Sequence, residues 1–249
     1  MTEEQDHSQA PADSSATPTG FGKTLAAVFG NFGRYFKPML PVSLAVGVIV
    51  ELGQYMTLQD AMRIEQGQEP QGGLFLGMLL ILVATSYFNI VGYRRADSIQ
   101  RTGGTGNEFT EAWSRFLPML AFMILYAVAV AIGGLLLLIP GLILAILFVV
   151  GDVQVALGKA GPLEAFRQSA SLVWGNWWYS FGLVLVVGLV VAIPVSIIEM
   201  IIEPMRLAEG GEVFFAALIS VVVMLVVFPI FISLFYTLLR SLKARKAIS

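Results

Sequence analysis

Cysteine is absent from the 249-residue chain, and histidine occurs once, as His7. Disulfides and thiolate metal sites are therefore excluded, and no imidazole is available beyond residue 7 to bind a metal or to act as a base. Charged residues make up only 13% of the sequence, and the net charge is -2. This balance leaves no basic surface of the kind that binds nucleic acid. We expect no metal site, no cofactor and no nucleic-acid partner.

Apolar residues are abundant, at 57% of the chain, with a mean hydropathy of +0.79. Such a composition indicates a multi-pass membrane protein. The first 20 residues, MTEEQDHSQAPADSSATPTG, are acidic and polar and lack the apolar segment of a signal peptide. We predict a disordered cytosolic tail over residues 1–20 and a transmembrane domain over residues 21–249.

Six segments approach the length of about 20 apolar residues that a spanning helix needs. They are residues 38–56, 72–93, 117–139, 141–158, 181–202 and 215–239. The third and fourth form one apolar run that is interrupted only by Pro140 and Gly141. This run is too long for a single crossing, so we predict a tight hairpin turn at Pro140-Gly141.

The basic residues predict the orientation of these six spans. Of the 15 lysines and arginines, all but Arg63 and Arg206 lie on the side that contains both termini. The positive-inside rule then places both termini in the cytosol. The same orientation brings all four tryptophans near the inner membrane interface, where indole rings are favoured: Trp113, Trp174, Trp177 and Trp178.

Large apolar residues recur at helical spacing before spans one, three and five. The three stripes are Phe21, Leu25, Phe29, Phe32 and Phe36; Phe109, Trp113, Phe116 and Leu120; and Phe166, Ala170, Trp174, Trp177 and Phe181. Such stripes predict amphipathic helices at the cytosolic interface. The fold we expect is an all-α membrane protein of three hairpins, each preceded by a cytosolic amphipathic helix.

Two of these segments share a sequence pattern, VFGNFGRYF at residues 28–36 and VWGNWWYSF at residues 173–181. Gly and Asn tolerate backbone conformations that other residues avoid. We predict that Gly30-Asn31 and Gly175-Asn176 let an interfacial helix end or bend before the chain enters the membrane. The aromatic cluster around them would anchor the chain at the inner leaflet. The alternative is a specific site for a lipid headgroup or a protein partner.

Three acidic residues inside the spans are candidate functional groups, because a charge in hydrocarbon is costly without a partner or a water path. Glu51 and Glu199 lie toward the outer ends of spans one and five, where they could reach the interface or the outer loops. Asp152 lies either near mid-membrane or, if span four is short or tilted, at the inner interface. No basic residue inside a span offers Asp152 a salt bridge.

Residues 140–178 contain a pattern of nine positions: Pro140, Gly141, Glu164, Ala165, Arg167, Ser169, Leu172, Gly175 and Asn176. In this pattern the segment resembles the YciC-like six-span proteins of the bacterial inner membrane and the related membrane domain of some glycerophosphodiester phosphodiesterases. Ala170 departs from the pattern, which commonly has an aromatic residue there. The resemblance implies a six-helix inner-membrane protein without an established activity. The phosphodiesterase reaction belongs to a separate soluble barrel and is not carried over.

Two functions remain open at this point. The first is a non-enzymatic scaffold that organises membrane phospholipids and holds an envelope protein or a second copy of itself. The second is a transporter of a small solute or a lipid that uses Asp152 and Glu51 between spans kinked at Pro194 and Pro229. Motifs for nucleotide binding, metalloprotease activity or serine hydrolysis are missing from the sequence.

Overall fold

The computed structural model describes residues 19–208 and 211–248. The predicted tail therefore lies, apart from residues 19 and 20, outside the described residues. Throughout the described ranges the regular structure is helical. The α-helices are α1 Phe21–Glu65, α2 Gly73–Thr102, α3 Glu108–Trp113, α4 Phe116–Leu136, α5 Leu138–Leu147, α6 Gly151–Ala156, α7 Pro162–Val173, α8 Trp177–Leu207 and α9 Gly211–Ile248.

Six stretches of helix are long and apolar enough to cross a membrane, as the sequence predicted. They are α1, α2, α4, α5 with α6, α7 with α8, and α9. Large apolar side chains remain exposed along them, including Leu117, Leu135 and Met200. A surface of this kind is unfavourable in water and suited to hydrocarbon. The chain is therefore a multi-pass membrane protein in its architecture.

Helices α1, α2 and α9 form the centre of the bundle. The buried face of α1 includes Val28, Tyr35 and Met39, and it belongs to the same apolar core as Ile90 of α2 and Leu234 of α9. Helices α1 and α9 are antiparallel, since Thr24 at the start of α1 lies beside Ser241 near the end of α9, and Gly47 further along α1 lies beside Met224 earlier in α9. We name the end with the start of α1 and the end of α9 the terminal end. The opposite end, with the connection 66–72, is the loop end.

Three glycines bring α1 and α2 unusually close near the loop end. A Cβ atom at Gly53 would lie 2.8 Å from the Gly77 carbonyl oxygen, and one at Gly73 would lie 2.7 Å from the Met56 carbonyl oxygen. A Cβ atom at Gly77 would collide with the Gly53 carbonyl oxygen and the Thr57 hydroxyl. Glycines four residues apart are typical of close helix packing in membranes. Gly73 and Gly77 therefore permit the close packing of α1 and α2 in this part of the bundle.

The hairpin turn between spans three and four differs from the prediction. The chain turns at Leu137, whose φ of -167° and ψ of 149° are extended, and Pro140 and Gly141 lie inside α5. The predicted turn at Pro140-Gly141 is wrong by three residues. Proline is tolerated in the first turn of a helix because its missing N–H has no helical partner there. Gly141 instead lets α5 approach α4, since a Cβ atom on it would lie 2.8 Å from the Gly134 nitrogen.

The first Gly-Asn pair does not end a helix. Helix α1 continues without interruption through Gly30 and Asn31 and through Pro38 and Pro41. The prediction of a separate amphipathic helix before span one is therefore wrong. The helix continues through Gly30 because packing against α2 and α9 outweighs the low helix propensity of glycine. At the second pair a 3₁₀ turn, Trp174–Asn176, does separate α7 from α8. The two pairs therefore differ in local backbone structure.

Span four is broken in a way the sequence analysis did not predict. Residues 148–150 form turns between α5 and α6. The Ser169 hydroxyl of α7 donates to the Leu147 carbonyl at 2.7 Å, which satisfies one of the carbonyls that the end of α5 leaves free. Gly151 packs under the Phe122 ring, where a Cβ atom would lie 2.5 Å from a ring carbon. The break is therefore specified by side chains of neighbouring helices.

Candidate functional site

An ion-pair cluster near the loop end joins side chains from three helices. Arg206, in the last turn of α8, donates from Nη1 to Glu199 Oε2 at 2.8 Å. Its Nη2 atom lies 3.4 Å from Glu51 Oε2 of α1 and donates to Ser220 Oγ of α9 at 2.5 Å. We name these four residues the loop-end cluster. It combines one basic side chain with two acidic ones.

Helix geometry explains why these side chains meet. Glu199 and Arg206 are seven residues apart in α8, so two helical turns place them on one side. Glu51 follows Gly47 by one turn of α1, and a Cβ atom at Gly47 would lie only 3.1 Å from Met224 Cβ of α9. This close approach of α1 and α9 brings Glu51 beside Ser220. The Ser220 hydroxyl is itself oriented by a hydrogen bond to the Ala216 carbonyl at 3.1 Å.

A cavity of about 810 Å³ opens beside the loop-end cluster, between α1, α2 and α9. Glu51 and Arg206 line it, and most of the remaining lining is apolar. The apolar wall includes Leu44, Val48, Leu52, Met78, Phe214 and Leu218. A largely apolar cavity of about 300–1,000 Å³ with a few polar groups is the usual form of a small-molecule site. We name it the loop-end cavity.

Arg206 retains one unused hydrogen-bond donor at this site. Its Nε atom is buried and has no hydrogen-bond partner within the described residues. A buried donor without a partner is costly and uncommon in proteins. The Arg206 Nε donor is therefore enclosed by protein within the loop-end cluster.

Two of the three predicted carboxylates thus meet at one site, and Arg206 is the residue that sequence reasoning missed. The sequence analysis treated Arg206 only as an outer-loop charge. Its spacing of seven from Glu199 was the available signal, because that spacing puts the two side chains on one helical face. No three Asp, Glu or His residues in the described ranges are grouped so that they could hold a metal ion.

Asp152 lies apart from this cluster, in the first turn of α6. It is buried, and its Oδ2 atom accepts a hydrogen bond from the Tyr93 hydroxyl of α2 at 2.7 Å. Its Oδ1 atom accepts from the Val153 backbone N–H at 2.7 Å. One turn further along, Arg94 Nε donates to the Ala156 carbonyl at 3.0 Å. Asp152 is thus placed near the terminal end and is shielded by protein, with a tyrosine as its partner.

The asparagines of both Gly-Asn pairs contact the last helix. Asn31 Nδ2 donates to Thr237 Oγ1 of α9 at 3.0 Å. Asn176 Oδ1 accepts from Arg245 Nε of α9 at 2.7 Å. Thr237 and Arg245 are eight residues apart, close to two helical turns. The two pairs therefore share one structural role, which is to fix the terminal-end half of α9 to α1 and α8.

The aromatic residues of the predicted stripes differ in exposure. Trp113, Trp174 and Trp178 are more than two-thirds exposed. Trp177 is partly buried and stacks on Phe181 with ring centroids 5.1 Å apart. In α1, Phe29 is exposed and Phe32 packs partly buried on the core. The fully buried stripe in α1 passes through Thr24, Val28 and Tyr35. The aromatic stripe lies beside it, with Phe21 exposed like Phe29 and Leu25 partly buried like Phe32.

A second, smaller cavity of about 250 Å³ lies at the terminal end between α2, α3 and residues 106–107. Most of the charged side chains that line it form ion pairs with one another. Arg94 pairs with Glu111, and Asp97 pairs with Arg101 at 2.8 Å. Beneath it, buried Arg95 donates to the Pro38 carbonyl at 2.9 Å. We regard this region as a structural polar junction between α1, α2 and α3.

Comparison with known families gives one match. Residues 112–242, just over half of the chain, match the model of a family described as a domain of unknown function, DUF7847. The chain belongs to the DUF7847 family. The DUF7847 segment runs from the end of α3 into α9, so it contains Asp152, Glu199 and Arg206 but not Glu51 or Tyr93. No curated protein and no solved structure matches the chain.

Proposed function

We propose that this protein is a non-enzymatic membrane scaffold that binds a membrane lipid in the loop-end cavity. The observation that supports this most directly is the pairing of an apolar cavity of about 810 Å³ with a polar cluster at its wall. An amphiphile has the same two parts, an apolar chain and a polar head. The remaining apolar surface of the six helices would contact bulk lipid in the same bilayer.

We place the protein in the bacterial inner membrane with both termini in the cytosol. The basic residues support this, because nearly all of them lie toward the terminal end. Exposed Trp113, Trp174 and Trp178 lie in the same half of the molecule and would contact the inner interface. This face is also the surface on which an envelope protein or a second copy of the chain would be held.

Filling the cavity tests lipid binding. Ala217 of α9 lines the loop-end cavity, so Ala217→Trp places an indole where the chain of the lipid would lie. A steric cost of about 1–3 kcal/mol is typical of such overpacking and corresponds to a loss of affinity of roughly 5- to 150-fold. We expect native mass spectrometry of the purified protein to show much less retained phospholipid in this variant.

The matched control is Ala121→Trp, an equal substitution at an exposed position of α4 that does not line the cavity. It should retain phospholipid like the unchanged protein. Equal retention in all three proteins would contradict the proposal, provided that thermal unfolding in detergent shows each of them folded.

A transporter remains the second candidate, supported by the broken span at residues 148–150 beside buried Asp152. Irregular backbone in a spanning segment is often found where a pathway crosses the membrane. Asp152 and Glu51 lie toward opposite ends of the bundle, however, so they could not act at one site as first expected. If the transporter function holds, Asp152→Asn proteoliposomes lose flux while the protein still folds. Normal flux in the Asp152→Asn variant would exclude the transporter function.

A further inference from the structure

Basic side chains surround the turn between α6 and α7, at residues 157–161. The Gly158 N–H donates to the Val155 carbonyl and the Lys159 N–H donates to the Gln154 carbonyl, both at 3.0 Å. Gly158 has a φ of 69°, and a Cβ atom on it would lie 2.8 Å from Arg115 Nη2. Glycine therefore lets the Arg115 guanidinium pack directly on the turn.

A third basic side chain reaches this turn from the last helix. Lys243 of α9 is exposed and lies close enough to Lys159 for their two positive charges to repel each other. We name Arg115, Lys159 and Lys243 the turn cluster. In the described ranges none of the three forms an ion pair. Like charges gathered without acidic partners raise the local positive potential, which favours the binding of an anion.

Two basic residues near the turn cluster are engaged in a different way. Arg94 donates to the Ala156 carbonyl at 3.0 Å and pairs with Glu111. Arg245 donates to Asn176 Oδ1 at 2.7 Å, and its guanidinium lies 4.3 Å from the centre of the Tyr179 ring. These contacts hold helices together. The turn cluster keeps its charge available for a ligand.

Exposed apolar side chains adjoin the turn cluster. Trp113 and Leu117 lie two residues before and after Arg115 and are 71% and 72% exposed, and Leu163, just after the turn, is 69% exposed. Trp113 stacks on Phe116 with ring centroids 5.6 Å apart. Indole rings favour the membrane interface, at the depth of the lipid headgroups. A soluble anion would leave these apolar side chains uncovered, whereas a lipid would cover them.

We propose that the turn cluster binds the headgroup of an anionic phospholipid in the leaflet at the terminal end of the bundle. The phosphate lies among the side chains of Arg115, Lys159 and Lys243, and the acyl chains run beside Leu117 and Leu163. Basic groups between spanning helices are typical sites for anionic headgroups. This site lies apart from the loop-end cavity and does not depend on the lipid binding proposed there.

The test compares two phospholipids with identical acyl chains, one with an anionic glycerol headgroup and one with a zwitterionic choline headgroup. The full-length protein is freed of bound lipid in detergent, equilibrated with an equal mixture at low ionic strength, and analysed by native mass spectrometry. Each basic residue near an anionic lipid contributes a factor of about five, so we expect enrichment of the glycerol lipid by about tenfold or more. Equal binding of the two lipids would overturn the proposal.

Two double variants separate the turn cluster from general charge attraction. Lys159→Gln combined with Lys243→Gln removes two of its three charges and should abolish most of the enrichment. Lys23→Gln combined with Lys37→Gln is the matched control, because both lysines are exposed in α1 and the net charge changes equally. The control should keep the enrichment. Equal losses in the two double variants would mean that no particular site is involved, and the proposal fails.

Free glycerol phosphate tests whether the acyl chains contribute to binding at the turn cluster. It carries the same anionic group as the glycerol lipid but has no apolar part. At the concentration of the lipid, it should leave the bound lipid in place. Displacement of the lipid at that concentration would assign the turn cluster to a soluble phosphate compound and overturn the lipid assignment.

The Ala217→Trp variant distinguishes this proposal from lipid binding in the loop-end cavity. It should keep the preference for the glycerol lipid even where the total amount of retained lipid falls. If Ala217→Trp loses the preference while the Lys159→Gln, Lys243→Gln variant keeps it, the anionic lipid binds in the loop-end cavity. In that case the turn-cluster proposal fails and the proposed function stands. Thermal unfolding in detergent checks that each variant is folded.

Discussion

The Arg206 guanidinium contacts side chains from α1, α8 and α9 at once. Its removal leaves Glu51, a largely buried carboxylate, without the cation beside it. Leaving a buried polar group unsatisfied costs roughly 1–3 kcal/mol. We therefore expect Arg206→Ala to lower the free energy of unfolding by that order, measured by thermal unfolding in detergent.

Arg167→Ala is the matched control for Arg206, because Arg167 is exposed in α7 and its loss should change stability little. Combining Arg206→Ala with Glu51→Gln should recover part of the loss, since the uncompensated carboxylate is then absent. If Arg206→Ala and Arg167→Ala lower the free energy of unfolding equally, the ion pairs of Arg206 do not stabilise the fold.

The Tyr93 hydroxyl is the side-chain partner of buried Asp152, at 2.7 Å. Tyr93→Phe removes that hydrogen bond without emptying the space that the ring fills. We expect a loss of stability of about 1–3 kcal/mol. The same substitution in an Asp152→Asn background should cost less, because the carboxylate that needed the donor is gone. Additive effects in this double-mutant cycle would show that the two side chains are not coupled.

At the scale of elements, the contact between α1 and α2 depends on glycine. A Cβ atom at Gly77 would collide with the Gly53 carbonyl of α1, and backbone cannot move aside as a flexible side chain can. We expect Gly77→Ala to destabilise the protein by about 1–3 kcal/mol through overpacking, measured by thermal unfolding.

Gly188→Ala in α8 is the matched control for Gly77→Ala, since a Cβ atom there would meet nothing within 4 Å. Alanine has the higher helix propensity, so this variant should be as stable as the unchanged protein or more stable. Equal destabilisation of the two variants would contradict the conclusion that Gly77 is needed for the close approach of α1 and α2.

The contrast between the two Gly-Asn pairs also belongs to this scale. Their local sequences are nearly the same, yet Gly30-Asn31 lies within α1 and Gly175-Asn176 lies at a 3₁₀ turn. Local propensity is weak enough that packing against neighbouring helices decides where a helix ends. What the pairs do share, contact of their asparagines with α9, could not be read from either segment alone.

For the whole molecule, an even number of crossings places both described termini on one side of the membrane. The chain has no native cysteine, so single introduced cysteines report accessibility directly. In sealed vesicles, Lys23→Cys and Ala247→Cys should react with a membrane-impermeant maleimide from the same side, and Gln68→Cys only from the other. Labelling of all three from one side would contradict six crossings.

The sequence by itself determined that the chain forms six membrane-length helices. Apolar runs of about 20 residues leave few alternatives, because backbone polar groups in hydrocarbon must be satisfied within the segment. It also singled out Glu51, Glu199 and Asp152, because carboxylates in apolar segments are conspicuous.

Only the tertiary structure decided how these groups are paired. Glu51 and Arg206 are 155 residues apart, and Tyr93 and Asp152 are 59 apart. Hydrophobic periodicity reports which face of a helix is apolar, but not which other helix covers that face. The close approaches at Gly47 and Gly77 and the break at residues 148–150 depend on the shapes of neighbouring helices. The physical reason is that contacts between distant side chains depend on how the helices pack against one another, and the sequence of a single segment does not specify that packing.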